Sequence, residues 1–246
     1  CARHLEFADA ASIRYAQALY IRRLAGDVGQ TIPIPCPVEL ANRVANSQMA
    51  ELRFLWELFE GLFQFLEGAL SKAAEHLDNA WELSWSAPVH IHLIDLALFS
   101  VLNRAALQTQ TGIVQNFDRP MACLQSAART NPRFFGDRLA LAQGELQRVA
   151  GNNLQALLHY EDAIDKAGSC GAIHIQGLGH ELESRCLALV SMNYGARVHL
   201  RLARDAWRRW GAKRLADRLE SLHPSLREAP GLAPSLALPD KHELDV

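Results

Sequence analysis

A pattern of five residues occurs twice in this chain and constrains the fold more than any other feature of the sequence. Gly61, Gly68, Ala73, Leu77 and Ala80 have the same spacing as Gly144, Gly151, Ala156, Tyr160 and Ala163. Two helices approach to about 8–10 Å only where the side chains between them are small. The spacing therefore predicts two antiparallel helices that meet closely across a tight turn. We call it the small-residue pattern, and it is typical of helical-repeat arrays.

Each position of the small-residue pattern has an expected role. Gly61 and Gly144 lie midway along the first helix of each pair, where glycine costs about 1 kcal/mol of helix propensity. We expect the third-position alanines to supply the other half of the close contact. Leu77 and Tyr160 are expected to fill a wider gap one turn later, and the fifth-position alanines let the next repeat stack.

The rest of the chain continues this helical pattern. Hydrophobic residues make up 49% of the sequence, which is ample for a substantial core, and no convincing period-two strand is present. The apolar periodicity and the Gly and Pro breaks predict helices over 5–25, 37–49, 50–65, 69–85, 89–107, 120–129, 134–150, 153–167, 172–193 and 196–222. Within the last of these, Ala196, Leu200 and Ala203 repeat the final spacing of the small-residue pattern. The predicted fold is all-α, an irregular tetratricopeptide-like helical-hairpin array (an α-α superhelix) of about ten helices.

The two ends of the chain predict its domain organisation. The sequence begins with Cys1 rather than methionine, and its first segment already has a helical pattern, so we expect a fragment of a longer protein. Residues 1–223 are predicted to form one helical-repeat domain. Residues 224–246 contain four prolines with little apolar periodicity, and they are predicted to be a linker.

Charge, apolar runs and cysteines exclude several classes of protein. The net charge of −2 argues against a surface for nucleic acid, and no apolar run approaches the about 20 residues that cross a bilayer. The five cysteines are odd in number and form no CxxC pair, which disfavours a disulfide framework. We therefore expect a cytoplasmic protein with reduced thiols, no nucleic-acid partner and no membrane segment.

Further motifs lie in the last third of the chain. They are Tyr160-Glu161-x-Ala163-Ile164, Ile175-Gln176-Gly177-Leu178, and Ala203-Arg204 followed by Trp210-Gly211-Ala212. With them, the run from 134 to 224 resembles a tetratricopeptide-like helical region of very large bacterial and fungal signalling proteins. The apolar hairpin at 54–83 and the opening FADAASIRYAQALY are similar as well, so the resemblance extends over most of 5–246.

The resemblance implies a context for the chain. In those proteins a serine/threonine-kinase-like domain and an AAA-type (STAND) ATPase precede the helical region, and GAF or PAS sensors and a histidine kinase commonly follow. The end Leu244-Asp245-Val246 is similar to the approach to a GAF module. The chain itself contains no phosphate-binding loop, no HRD or DFG motif and no nucleotide-binding glycine box. We therefore expect no catalysis and no cofactor in this segment.

Histidines and cysteines of the last third were weighed as sites of chemistry. Cys170, His174, His180 and Cys186 match no common zinc spacing, so packing roles are favoured over metal binding. The His180-Glu181 pair could act as a phosphoacceptor, but one dipeptide is weak evidence, and a solvated helix face is the favoured interpretation.

Two sets of side chains were weighed as binding surfaces. Arg197, Arg201, Arg204 and Arg208 follow four-three-four spacing on the last helix. They indicate either a docking face for an acidic partner or nucleic acid, or a solvated outer face. The solvated face is favoured because acidic residues dilute the charge. The five tryptophans, Trp56, Trp81, Trp85, Trp207 and Trp210, line either a ligand groove or the core, and the core is favoured.

Two functions remain open at this stage. The first is a non-catalytic scaffold and protein-interaction segment of a signal-transduction kinase, which relays between the ATPase and the sensor or histidine-kinase modules. Its partners are other proteins or neighbouring domains of the same chain. The alternative is the repeat arm of a STAND-type transcriptional regulator, which binds an inducer or a protein. The sequence leaves the oligomeric state and the ligand open.

Overall fold

The computed structural model describes residues 2–26, 34–88 and 91–227, with side chains from residue 8 onward. This part of the chain is all-α and forms eleven α-helices and no strand. The helices are α1 (Ala2–Ala25), α2 (Pro37–Asn46), α3 (Ala50–Leu66), α4 (Leu70–Leu83), α5 (His92–Thr111), α6 (Asp118–Thr130), α7 (Pro132–Val149), α8 (Asn153–Cys170), α9 (Ile173–Leu189), α10 (Asn193–Trp210) and α11 (Lys213–Leu222). The prediction of an all-α helical-hairpin array is confirmed.

Local sequence explains where several helices begin. The Cys36 side chain accepts a hydrogen bond from the Glu39 amide, and Pro37 occupies the first turn of α2, where its missing N–H costs nothing. Asn131 caps α7 in the same way through the Phe134 amide, again followed by a proline. Helix α3 is apolar nearly all round because it lies between α1 and α5 and buries side chains on both faces.

Residues with left-handed backbone mark a regular repeat. Gly26, Gly68, Gly112, Gly151 and Ser191 all have positive φ, and each lies one or two residues after the end of the first helix of a hairpin. Successive positions are therefore 42, 44, 39 and 40 residues apart. A tetratricopeptide repeat has about 34 residues, so this array has a longer unit with longer helices.

The hairpins stack in two layers. Helices α3 and α4, α7 and α8, and α9 and α10 form the closest pairs, and α5 with α6 completes the series. The odd-numbered helices from α1 to α9 contact one another in succession and form the inner layer, while α4, α6 and α8 each pack on the next inner helix. The core is continuous along the array.

The array turns far enough for its two ends to meet, since α1 contacts α11. The Phe63 ring of α3 lies between two guanidinium groups, with Arg23 of α1 at 4.9 Å and Arg214 of α11 at 5.6 Å from its centroid. The Arg214 guanidinium also donates hydrogen bonds to both carboxylate oxygens of Glu67, at 2.9 and 2.5 Å. We call this contact the closure. It joins residues 147 positions apart in the sequence.

The prediction of one helix over 196–222 is wrong. The chain breaks at Gly211, whose φ of 87° is left-handed and ends α10, and α11 begins two residues later. The Ala212 amide donates to the Trp207 carbonyl at 2.9 Å and satisfies the end of α10. The apolar residues continue at helical spacing across the break because α10 and α11 bury their apolar faces in the same core. Helix α6 also begins earlier than predicted, at Asp118.

The proposed linker at 224–246 lies mostly outside the described residues. Of this segment, Pro224–Leu226 forms a short 3-10 turn with Leu226 buried. Among the helices that the structure describes, none is both long enough and apolar enough to cross a bilayer.

Candidate functional site

A cavity of about 120 Å³, partly open to solvent, lies between helices from both ends of the array. We call it the central cavity. Five helices contribute to its wall. The lining residues are Tyr20 of α1, Phe59, Leu62 and Leu66 of α3, His92, Asp95 and Phe99 of α5, His174 and Leu178 of α9, and Trp207 and Trp210 of α10. Because each helix supplies one face, the cavity exists only when the whole array is assembled.

The wall is mostly aromatic, and its rings hold one another in place. Tyr20 stacks on Phe59 with centroids 5.4 Å apart. On the opposite side, the Trp210 indole stacks on the His174 ring at 5.1 Å and contacts Trp207 at 5.8 Å. Stacked and edge-on ring pairs restrict side-chain rotation, so the cavity is pre-formed.

The tryptophans divide between the core and the surface, which differs in part from the expectation of core positions. Trp81 and Trp207 are buried, and the Trp81 indole donates to Ser100 at 2.8 Å. Trp85 is exposed on the short turn after α4, and the expectation was wrong for this residue. Trp210, which lines the cavity, is exposed as well, so the expectation was also wrong for this residue.

A polar cluster supports one side of the cavity. Arg138 of α7 lies 3.6 Å from Asp95, 3.2 Å from Asp137 and 3.5 Å from the Nε2 atom of His174. Burial lowers the pKa of His174, and the charge of Arg138 lowers it further, so the ring is neutral at physiological pH. Burial, with Asp95 nearby, raises the pKa of Tyr20. The site therefore offers a neutral, apolar interior with a carboxylate and an imidazole at its edge.

The small-residue pattern brings its first and fourth positions into direct contact. A Cβ on Gly61 would lie 2.8 Å from Leu77 Cδ2, and a Cβ on Gly144 would lie 2.5 Å from Tyr160 Cε1. The expectation that Leu77 and Tyr160 fill a wider gap one turn away is therefore wrong. The side chain of the second helix covers the glycine itself. Ala73, Ala80, Ala156 and Ala163 are buried beside these contacts, and the turn residues Gly68 and Gly151 have φ of 83°.

The α9–α10 hairpin contains the same pattern with serines in place of the two glycines. Ser184 precedes Ala196 by twelve positions, as Gly144 precedes Ala156, and its hydroxyl donates to the Ala196 carbonyl at 2.7 Å. Ser191 occupies the turn with φ of 63°. Ala196, Leu200 and Ala203 are buried in this hairpin. The pattern is hard to recognise in this part of the sequence because Ser184 and Ser191 stand where the other two hairpins have glycine.

Tyr160 has a second role that Leu77 lacks. Its hydroxyl donates to the buried Glu145 carboxylate at 2.5 Å, and Arg148 binds the same carboxylate at 2.9 and 2.7 Å. Arg148 also reaches Thr109 of α5 at 3.1 Å. Burial and the neighbouring Glu145 raise the pKa of Tyr160, so it stays a donor. This network fixes the second hairpin of the pattern to α5.

Helix α10 carries a stripe of four arginines, Arg197, Arg201, Arg204 and Arg208, which divides into two halves. Arg204 donates to the Leu226 carbonyl at 2.6 Å, and Arg208 pairs with Glu220 of α11, so both hold α11 in place. Arg197 and Arg201 are exposed at the other end of the stripe. The Arg208 side chain is exposed as well, so exposure does not separate the two halves.

The expected solvated face at His180-Glu181 is wrong. Both residues are buried, because α9 is covered by α8 on one side and by α10 on the other. Glu181 accepts hydrogen bonds from Arg218 at 2.8 Å, from Arg185, and from the Trp207 indole at 3.4 Å. Burial opposes ionisation of Glu181, but Arg185 and Arg218 outweigh it and lower the pKa. A buried dipeptide of this kind is not accessible to a kinase.

The four residues weighed for metal binding are not brought together. Cys170 lies beside Asp137 at 3.8 Å, His174 stacks on Trp210, and Cys186 lies beside the Asn153 carbonyl at 3.6 Å. His180 instead meets Glu183 and His199. Among the described residues, this is the one group of three such side chains close enough to share an ion.

The chain was compared with protein-family profiles, with curated proteins and with solved structures, and none of them matches. Its function is therefore inferred from the geometry of the cavity and from the residues around it.

Proposed function

We propose that the chain is a non-catalytic helical-repeat recognition module and that its central cavity receives one aromatic side chain of a partner. The partner is another protein or a neighbouring domain of the same chain. In the larger signalling protein that the sequence resembles, this contact would relay between the ATPase and the sensor or histidine-kinase modules. The observation that supports the proposal is the aromatic cavity, to which five helices contribute.

The size of the cavity supports a single ring as occupant. Sites for drug-sized ligands usually have about 300–1,000 Å³, whereas an apolar cavity of about 150 Å³ is sufficient for benzene. The volume of about 120 Å³ is much closer to the second value than to the first, and it supports one phenyl or phenol group as the occupant. An aromatic side chain in a fitted pocket is the commonest strong anchor of a protein interface.

The chemistry of the wall supports the same occupant. Phe59, Phe99 and Trp207 offer ring faces and edges, which favour an inserted aromatic group. Asp95 and His174 lie at the edge, where a phenol hydroxyl or an indole N–H would find an acceptor. The partner is therefore expected to present Phe, Tyr or Trp from an exposed segment.

The test is selection of peptides from a random library displayed on phage, with the isolated chain as bait. We expect the selected peptides to share one aromatic position, and substitution of that residue by alanine to abolish binding. Leu178→Phe places a larger side chain in the cavity wall and should weaken binding at least about tenfold. Leu158→Phe, at an exposed position of α8, is the matched control and should bind as the unmodified chain does.

Two outcomes would contradict this proposal. The selection could enrich no aromatic position. Alternatively, the selected peptides could bind the Leu178→Phe variant as tightly as the Leu158→Phe control, which would place their site outside the cavity. Circular dichroism of both variants establishes that each is folded before binding is compared.

A second candidate is the repeat arm of a STAND-type transcriptional regulator that binds a small inducer. The enclosure of the cavity by five helices favours it, because a one-ring compound bound there would contact α1, α3, α5, α9 and α10 at once. Calorimetric titration with indole and with phenol distinguishes the two functions. If indole or phenol binds saturably and the phage selection yields no peptide, the inducer function is favoured. If the selection yields peptides and neither compound binds saturably, the protein partner is favoured.

A further inference from the structure

The α9–α10 hairpin contains a cluster of three side chains that the cavity does not use. His180 and Glu183 lie one turn apart on α9, and His199 faces them from α10. The Nδ1 atoms of the two histidines are 3.2 Å apart, and His199 Nδ1 is 3.1 Å from Glu183 Oε2. All three ligand atoms lie within 4.8 Å of one another. We call them the His-Glu-His cluster.

Hydrogen bonding alone does not satisfy this cluster. His180 and Glu183 are each only 8% exposed, so water has little access to these two side chains and reaches the cluster mainly past His199. Glu183 Oε2 is buried and accepts no well-aligned hydrogen bond from any described residue, although His199 Nδ1 is close to it. A proton on His199 Nδ1 lies in the ring plane and can be donated to one acceptor only. His180 Nδ1 and Glu183 Oε2 are both close to it and compete for this hydrogen bond.

A metal ion would satisfy all three atoms at once. Zn²⁺ binds imidazole nitrogen and carboxylate oxygen at about 2.0–2.2 Å in tetrahedral geometry, which places neighbouring ligand atoms about 3.3 Å apart. The separations of 3.2 and 3.1 Å that involve His199 are close to this value. Two imidazoles with one carboxylate also form a set that is typical of zinc rather than of magnesium or calcium.

The surroundings contain one opposing charge and one route of access. Arg209 acts on His180 electrostatically and disfavours a cation, whereas the Glu183 carboxylate offsets it. The His199 side chain is 23% exposed, so solvent reaches the cluster from the α10 side and supplies a fourth ligand. Since two ligands come from α9 and one from α10, a bound ion would cross-link the hairpin.

We propose that His180, Glu183 and His199 form a binding site for one divalent transition-metal ion, with Zn²⁺ as the favoured occupant. The site is separate from the recognition function of the cavity. It requires no change of fold, because the three ligand atoms are already gathered by the packing of α9 on α10.

The experiment is calorimetric titration of the metal-free chain with Zn²⁺. We expect one strong site per chain, and at least about a tenfold loss of affinity in each of the variants His180→Gln, Glu183→Gln and His199→Gln. The matched control is His76→Gln. His76 also contacts a glutamate across a hairpin, Glu57 at 2.7 Å, but no described residue adds a third ligand. Its affinity should stay within about twofold of that of the unmodified chain.

A second measurement separates loss of a ligand from loss of fold. Thermal unfolding of the unmodified chain should shift upward with Zn²⁺ and not with Mg²⁺, and Glu183→Gln, which keeps the side-chain shape, should remove the shift. Absence of strong Zn²⁺ binding by the unmodified chain would overturn the proposal. So would a folded His199→Gln variant that binds Zn²⁺ as tightly as His76→Gln does, since exposed thiols such as Cys36 would then be the ligands.

Discussion

At the scale of single residues, the packing of the α3–α4 and α7–α8 hairpins depends on the absence of one methyl group in each. The Tyr160 ring of α8 occupies the space where a Cβ on Gly144 of α7 would stand. Leu77 of α4 occupies the equivalent space over Gly61 of α3. Such a glycine gives up helix propensity, and the packing of the larger partner offsets the loss. In this pattern the glycine of the first helix leaves a space, and the larger side chain at the fourth position fills it. The contact is therefore not between two small residues.

Gly144→Ala tests this contact. Its Cβ would lie 2.5 Å from a Tyr160 ring carbon, so one of the two helices must shift. We expect the free energy of unfolding to fall by about 1–2 kcal/mol, because overpacking exceeds the gain in helix propensity. Gly136→Ala in the same helix is the control. Its nearest neighbour is Lys166 Cδ at 3.5 Å, so it should be neutral or stabilising by up to about 1 kcal/mol.

Both variants are measured by denaturant unfolding. An equal effect at the two glycines would show that position 144 has no special contact. A loss confined to Gly144→Ala supports the arrangement in which Tyr160 covers the glycine.

At the scale of helices, the sequence predicted most elements because apolar periodicity and glycine breaks agree along most of the chain. The break at Gly211 was missed because the apolar stripe continues from Ala203 through Leu215. The regular repeat was missed because Ser191 occupies a position where glycine was expected. The His-Glu-His cluster could not be predicted, since His199 meets α9 only through the way that α10 packs on it.

The α3–α4 hairpin contains a pH-dependent contact between its two helices. His76 lies 2.7 Å from Glu57, and this hydrogen bond is the main cause of a raised pKa for His76, with Glu60 and Glu75 adding to it. A histidine with a raised pKa in the folded state contributes stability that is complete below its unfolded pKa of about 6.5. The contribution is lost as the pH rises through the raised value.

His76→Gln should therefore destabilise the protein more at about pH 6 than at about pH 9. The difference should be below about 1 kcal/mol because the pair is partly exposed to solvent. Denaturant unfolding of both proteins at the two pH values measures it. A larger effect of the substitution at the higher pH would contradict the assigned direction of the shift.

At the scale of the whole molecule, the closure joins the two ends of the array, and helices from both ends line the cavity. Nothing in the local sequence indicates that Arg214 meets Glu67, because the pairing depends on the curvature summed over all the hairpins. The cavity could not be predicted for the same reason. Tyr20 and Trp210, at opposite ends of the array, line it together.

Removal of the closure should loosen the array without unfolding it. Arg214→Ala removes the bidentate contact with Glu67 and the guanidinium over Phe63, at a cost below about 1 kcal/mol since the pair is half-exposed. We expect an increase in the radius of gyration by small-angle X-ray scattering, and a similar increase for the unmodified chain in high salt. Arg43→Ala, which breaks an exposed pair within α2, is the control. Identical scattering from both variants would show that the closure does not hold the ends together.

The central claim is that the cavity is a recognition site, and the most direct measurement is a crystal structure of the chain with a peptide selected against it. We expect one aromatic side chain of the peptide to lie among Phe59, Phe99 and Trp207, with its polar atom toward Asp95 or His174. A peptide bound instead along the exposed arginines Arg197 and Arg201, with the cavity unchanged, would contradict the account.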